Sequence, residues 1–195
     1  MTERKPRKDA ARNRQAVLEA ADLLFGRSES PEDLTMADVA TAAGVGKGTL
    51  FRAFGDRAGL LGALYEARLE PLREAVETGP PPLGPATPPQ ERVPAVLDAL
   101  LCFKLDNRRL ALALEEAGSS SPYQAGHYDW WHGVLQSALE QVPGLADADA
   151  GFAAHALLAA TRADLVERLA DREGVPRERL RAQLAQYAGR VVAAR

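Results

Sequence analysis

The sequence predicts an all-α fold in two parts, a three-helix N-terminal head over residues 9–64 and a helical body over residues 65–195. Three observations support it. The stretch from Leu34 to Leu60, LTMADVATAAGVGKGTLFRAFGDRAGL, reads as a helix, a tight glycine turn, a second short helix and the start of a third. Across the rest of the chain, apolar residues recur at the spacing that puts them on one helical face. Nowhere do apolar and polar residues alternate as a half-buried strand requires, and no internal repeat is present.

Each element follows from its residues. Val17, Leu18, Ala21, Leu24 and Phe25 form the stripe of an amphipathic first helix, which fades at Gly26. Ser28 to Pro31 is a loop. Thr35 caps the next helix, with Asp38 three positions on completing a capping box. Met36, Val39, Ala40 and Ala43 then share a face. Gly44 ends that helix where a left-handed residue is needed, and Val45 is expected to be the buried residue of the turn. Gly46 to Arg52 forms a second helix of about two turns. This is a helix-turn-helix, whose second helix is shaped for the major groove of DNA.

Asp56 caps a long fourth helix carrying Leu60, Leu61, Leu64, Leu69, Leu72 and Val76, in which Pro71 is expected to introduce a kink or end the regular hydrogen bonding. Residues 79–94 hold seven of the prolines, so an extended loop with polyproline character is expected there. Body helices follow near Glu91–Leu105, Asn107–Ala117, Ser121–Val142, Ala148–Asp171 and Pro176–Ala194. Ser121, Pro122 and Gln124 open the third of these as cap, first helical residue and capping-box partner. Within it Trp131, Leu135, Ala138 and Val142 form a core stripe, while Trp130 lies about 100° away and borders something else. Ala153, Ala156, Ala160 and Ala163 permit close helix approach. Leu180, Leu184, Tyr187 and Val191 stripe the last helix.

Composition bounds the function. The chain has 195 residues, 46% hydrophobic and 26% charged, which is globular. Cys102 is the one cysteine, so no intrachain disulfide framework exists. The N-terminus is too charged for a signal peptide, and no run approaches the roughly 18 apolar residues of a membrane span. A soluble, cytoplasmic protein without membrane contact is expected. The formal charge of −3 conceals an asymmetry: residues 1–14 carry six cations and two carboxylates, while residues 58–195 carry 14 basic and 18 acidic groups. A basic arm beside a helix-turn-helix, joined to an acidic body, suits one face on DNA.

Thr35, then ADVATAAGV, then GKGTLFRAF, then paired leucines, resembles the N-terminal domain of the TetR family of repressors, over roughly Asp9 to Leu64. Family members end the recognition helix with Tyr-x-His-Phe where this chain has Phe51-Arg52-Ala53-Phe54. They begin it with Ser or Thr where Gly46 stands, and place Lys at Arg57. Phe51 has no hydroxyl and Ala53 no imidazole, so two phosphate hydrogen bonds that the resemblance implies are absent. The resemblance implies double-stranded operator DNA as partner. The DNA-binding candidates are Thr35, Val45, Gly46, Lys47, Gly48, Thr49, Phe51, Arg52 and Arg57, with Arg4, Lys5, Arg7 and Lys8 in the arm. Lys47 and Thr49 are first choices for base edges or phosphates. Gly46 and Gly48 permit close approach, and Thr35 and Arg57 bind phosphates at helix N-termini.

The resemblance further implies a homodimer through the last two long helices, Phe152–Asp171 and Arg177–Val192, and a small-molecule inducer within the body. Candidate pocket residues are Phe103, His127, Tyr128, Trp130, Phe152 and His155, with Arg162 as a buried polar group. Asp98, Glu115 and Glu116 are compatible with a cationic ligand. No cofactor or metal is expected. Gly44 to Thr49 lacks the Gly-Lys-Ser/Thr order of a phosphate-binding loop. His127 and His132 lie about 140° apart on a helix, and His155 is on another, so no two-histidine metal face forms. An enzyme is not expected. Two other readings stay open: an activator or global DNA binder without ligand control, and a helical dimerisation module whose head has lost DNA binding.

Overall fold

The computed structural model describes residues 4–28, 34–117, 126–145 and 147–193. These are helical with turns, and no strand occurs among them. They form two compact units, residues 1–68 and 69–195, whose boundary falls inside one helix.

The first unit contains α1 (Arg4–Arg27), α2 (Met36–Ala42), α3 (Lys47–Phe54) and the opening of α4 (Arg57–Thr78). Its core joins Val17, Ala21 and Phe25 of α1 to Val39, Ala40, Leu50, Phe54, Leu60 and Leu61, all buried. Helix α1 begins at Arg4, so the basic arm is the first turns of a helix; the arm's side chains at 4–8 lie outside the described residues, as does most of the Ser28–Pro31 loop. Thr35 Oγ1 accepts from the Asp38 amide at 3.2 Å, and its hydroxyl donates to the Asp38 carboxylate at 2.5 Å. Helix α2 closes in a Schellman motif: Val45 N–H donates to Ala40 O at 3.0 Å and Gly44 N–H to Thr41 O at 3.2 Å, with Gly44 at φ 65°. Val45 is only half-buried, because its main-chain bond rather than its side chain shapes the turn. Helix α3 runs two residues further than its sequence pattern indicated. Asp56 Oδ1 accepts from Gly59 N–H at 2.8 Å and caps α4.

The second unit takes the end of α4, then α5 (Pro89–Asp106), α6 (Arg108–Ala117), α7 (Gly126–Leu139), α8 (Asp147–Ala159), α9 (Ala163–Glu167) and α10 (Arg177–Val192). Helix α4 continues through Pro71 to Thr78, tolerating one missing donor. The proline-rich segment is shorter and more folded than expected. Gly84 N–H bonds Pro80 O and Thr87 N–H bonds Gly84 O, both at 3.1 Å, so the chain turns back on itself. A Cβ at Gly84 would lie 1.7 Å from Gly79 O, which fixes glycine there. Helix α5 then starts on Pro89, where a missing N–H costs nothing, and incorporates Pro94. Arg92 ties loop to helix, donating from Nε to Leu83 O and from Nη2 to Val76 O, each at 3.0 Å.

The expected helix over 148–171 is broken. Arg162 is extended, Thr161 turns its hydroxyl onto Leu158 O at 2.9 Å, and α9 restarts, followed by a π-helical turn over Arg168–Arg172. The Ser121 capping box lies outside the described residues; the helix is described from Gly126. Trp131, Leu135, Ala138 and Val142 are buried together as their spacing indicated. On α10 the buried line is Leu180, Leu184, Ala188 and Val192, so Tyr187 is exposed and Val191 only half-buried. Asp98 is not available to a cation: its carboxylate takes both nitrogens of Arg181 at 2.8 Å. The side chains of Glu115 and Glu116 lie outside the described residues.

Candidate nucleic-acid interface

The head presents α3 by its outer side. Leu50 and Phe54 anchor it to the core, leaving Lys47, Gly48, Phe51 and Arg52 exposed and Thr49 half-buried. Gly46 serves as N-cap with φ −69°, and its carbonyl accepts from Thr49 N–H at 2.9 Å and Leu50 N–H at 3.2 Å. A Cβ on Gly48 would meet nothing within 4 Å, and one on Gly46 only Thr49 Oγ1 at 4.0 Å. Neither glycine is required by the protein's own backbone or packing, unlike Gly44. Their bareness leaves the start of α3 open to close approach from outside.

Other candidates occupy more constrained positions. Arg52 Nε donates to Gly48 O at 3.1 Å, which lays the guanidinium along α3. Arg57 is half-buried and donates from Nε to Leu34 O at 3.1 Å, tying the start of α4 to the start of α2. Thr35 is exposed, but its hydroxyl hydrogen is engaged by Asp38. Phe51 is 48% exposed, an apolar ring on the outer face of α3. One cation escaped the motif: Arg14 of α1 lies over the Phe54 ring and reaches the end of α3. Its sequence separation from Phe54 left no local signal.

The body candidates do not converge on one place. Tyr128 of α7 and His155 of α8 meet, the phenol hydroxyl 2.6 Å from Nδ1. His132 joins them, its ring centroid 3.9 Å from that of His155 and its Nε2 3.1 Å from Gly151 O. The two histidines belong to separate helices, and helix packing brings their rings together at a tilt of 30°. Burial and the neighbouring His132 push the His155 imidazole below its ordinary pKa. No group of three or more His, Cys, Asp or Glu residues suited to a metal occurs among the described residues. Phe152 is 76% exposed and is not among the residues that line the cleft at Trp130. Arg162 is not a buried polar group: it is the half-buried N-cap of α9 and pairs with Asp164 at 2.8 Å. Phe103 and His127 are half-buried on α5 and α7.

Trp130 borders a separate cleft of about 430 Å³ with Val76, Glu77, Arg92, Asp129 and Val134. Its indole N–H donates to Glu77 Oε1 at 3.0 Å, the Arg73 guanidinium lies 4.8 Å from its ring centroid, and it meets Trp131 edge to face with ring centroids 4.6 Å apart. Trp131 Nε1 is buried with no hydrogen-bond partner among the described residues.

A helix-turn-helix with an open, lysine-bearing second helix, carried on a helical body, defines a DNA-binding transcriptional regulator. Comparison with known proteins makes the assignment narrower. The profile of bacterial regulatory proteins, tetR family, matches residues 17–64. An HTH-type transcriptional regulator of Staphylococcus aureus (strain bovine RF122 / ET3-1) is 30% identical over 143 residues, covering 67% of this chain and 71% of that protein. A TetR-family regulator from Rhodococcus sp. superposes with a TM-score of 0.68 at 22% identity, over 94% of this chain and 100% of that one. NalD, the secondary repressor of the MexAB-OprM multidrug efflux pump in Pseudomonas aeruginosa, gives 0.59 at 19% identity, over 94% and 97%. The chain belongs to the TetR family of transcriptional regulators. Among the described residues, no helix is long and apolar enough to cross a membrane.

Proposed function

We propose that this regulator is a homodimeric repressor that binds a roughly palindromic operator and leaves it when a small molecule occupies the body. The observation that carries DNA contact is the start of α3, where Lys47 is exposed between two glycines whose missing side chains the protein itself does not need. Gly46, Gly48, Thr49, Phe51 and Arg52 complete that surface. NalD, whose fold this chain shares, is a repressor, and repression is the sign assigned here.

Exposed large apolar side chains support the dimer. Phe152 on α8, Leu165 on α9 and Tyr187 on α10 are 76%, 36% and 44% exposed, all on the last helices of the body. A lone helix-turn-helix makes few contacts, and two linked heads multiply affinity through effective concentration. A small-molecule site is supported by the cleft at Trp130, an aromatic ring beside the polar groups of Glu77, Arg92 and Asp129. The clamps on the end of α4 suggest how occupancy is relayed. Val76 O is held by Arg92 of α5, and Glu77 by Trp130 of α7, so a ligand that favours a different α7 position acts on a helix shared by both units. Such a ligand shifts a two-state equilibrium by its differential affinity for the two states.

Lys47→Ala tests the DNA reading directly. Binding to the region upstream of the chain's own gene and to scrambled DNA is measured at several salt concentrations. Contact with a guanine edge predicts a specific loss of about 1–3 kcal/mol. Contact with phosphate predicts an even loss and a salt slope lower by about one. No change in either measurement removes Lys47 from the interface. A helical dimerisation module without DNA binding, which the absent Phe51 hydroxyl and Ala53 imidazole would suit, predicts no salt-dependent binding by the unaltered chain.

A further inference from the structure

The cleft between α1 and α3 contains a cation that the helix-turn-helix pattern does not account for. Asn13 and Arg14 of α1 face Thr49, Arg52 and Phe54 of α3 around an open volume of about 590 Å³. The Arg14 guanidinium carbon lies 4.6 Å from the centroid of the Phe54 ring, and Nη1 is 3.4 Å from Ala53 O. Phe54 is itself buried, so the ring is a fixed floor. Arg52 enters the same cleft with its Nε held by Gly48 O. Neither guanidinium forms an ion pair among the described residues; Asp9 also lines the cleft, and its carboxylate is matched by Arg12 at 3.4 Å, so two cations remain in the cleft against no unanswered carboxylate.

We infer that this cleft binds a phosphodiester of the DNA backbone, with Arg14 as its principal ligand; the inference rests on the DNA-binding reading. A guanidinium stacked on an aromatic ring has lost much of its rotamer freedom, yet keeps its charge and its in-plane N–H fork. Only a long bond to Ala53 O draws on those donors. The planar fork matches two oxygens of a phosphate. The cleft also opens beside Thr49 and Arg52, on the helix whose start offers Lys47, so a strand following α3 would pass its mouth. This places a backbone contact at Ala53, where the side chain offers no donor of its own. The rival role for Arg14 is structural: a cation placed against the C-terminal carbonyls of α3.

Fluorescence anisotropy with a labelled 30-base-pair duplex of mixed sequence separates these roles, because phosphate contacts do not depend on sequence. The full chain, Arg14→Ala and Arg14→Lys are titrated from 50 to 300 mM salt, with thermal melts alongside. Arg14→Ala is expected to lower the log–log salt slope by about 0.9, which is about eightfold in affinity at 0.1 M salt if the lines meet at 1 M. Arg14→Lys restores the slope but only part of the affinity, since it lacks the fork. Melting is expected to change little. An unchanged slope in Arg14→Ala, with a lowered melting temperature, overturns the proposal in favour of the helix cap. Should Arg14→Ala fail to fold, Arg14→Gln keeps a planar donor on Phe54 without the charge, and must lose the slope in the same way. Absence of salt-dependent binding by the unaltered chain defeats the DNA reading itself. Normal binding by that chain, with the slope intact in the Arg14 variants, defeats this site alone.

Discussion

Gly48→Ala isolates a residue kept for a partner from one kept for the fold. Gly48 is the second residue of α3, its φ is not in the left-handed region, and an added Cβ meets nothing within 4 Å. The substitution therefore introduces no clash and removes the backbone freedom of glycine in a helix, a gain of about 0.5–1 kcal/mol. For a chain of this size that is a rise in melting temperature of roughly 1–4 °C. If DNA approaches the start of α3 closely, the same methyl group displaces it, and a lost backbone or base contact costs about 1–3 kcal/mol, roughly 5- to 150-fold in affinity. Stability and binding are expected to move in opposite directions, read by thermal melts and by anisotropy on duplex DNA. Gly44→Ala is the contrasting control. At φ 65° an alanine is strained by about 1–2 kcal/mol, so its melting temperature falls. A Gly48→Ala protein that is more stable and binds DNA as tightly as before would falsify the placement of this glycine at the interface.

The body offers two further checks. Trp131→Ala should destabilise it by about 3–5 kcal/mol through cavity formation, since Trp131 is 3% exposed. Trp130→Phe should keep the fold while altering the response to any compound that releases DNA, because it loses the bond to Glu77. Equal melting of Trp131→Ala and the unaltered chain would show the core assignment to be wrong. His155 is held below the unfolded value of about 6.5, mainly by burial and then by His132. The unfolded chain then takes up its proton first, so the stability from neutral His155 is present above pH 6.5 and is lost as pH falls towards the folded pKa. His155→Gln should flatten that part of the melting profile between pH 7.5 and 5; an unaltered slope would assign it elsewhere. The effect should be small because the residue as a whole stays exposed and its ring is only partly desolvated by its neighbours.

What could be read from the sequence was local, and what escaped it was mostly not. Gly44 was legible because a Schellman closure needs one left-handed residue at one position, and Asp56 because its carboxylate caps an amide three residues on. Trp131 and Leu135 were legible because helical spacing alone puts them on one face. The proline-rich segment misled for a physical reason. Proline excludes itself from a helix only where its missing donor or its ring matters, and at Pro89 neither does. The break at Arg162 escaped because alanine-rich sequence on both sides favours helix, while Thr161 and Asp164 offer competing side-chain bonds. The packing of His132 against His155 and of Arg14 over Phe54 joins residues of separate helices, and no periodicity encodes that.

Net charge is a poor guide here for the same reason, since what matters is which charges are already answered. In the body, Asp98 is held by Arg181, Asp106 by Arg177 and Glu167 by Arg108, each an arginine from another helix. The Arg177 bonds hold the Asp106 carboxyl below its usual range, so the pair stays ionised to lower pH than a free carboxylate would. Such pairs cancel at a distance and add little outward field. In the head, Arg14, Lys47 and Arg52 form no ion pair among the described residues. A formal charge of −3 is therefore compatible with a head that attracts polyanions, because Arg14, Lys47 and Arg52 are left unanswered on α1 and α3 while each of these body carboxylates is matched by an arginine. Salt should weaken the head's attraction steeply while leaving the partly screened body pairs nearly untouched, so DNA affinity and thermal stability should part company as ionic strength rises.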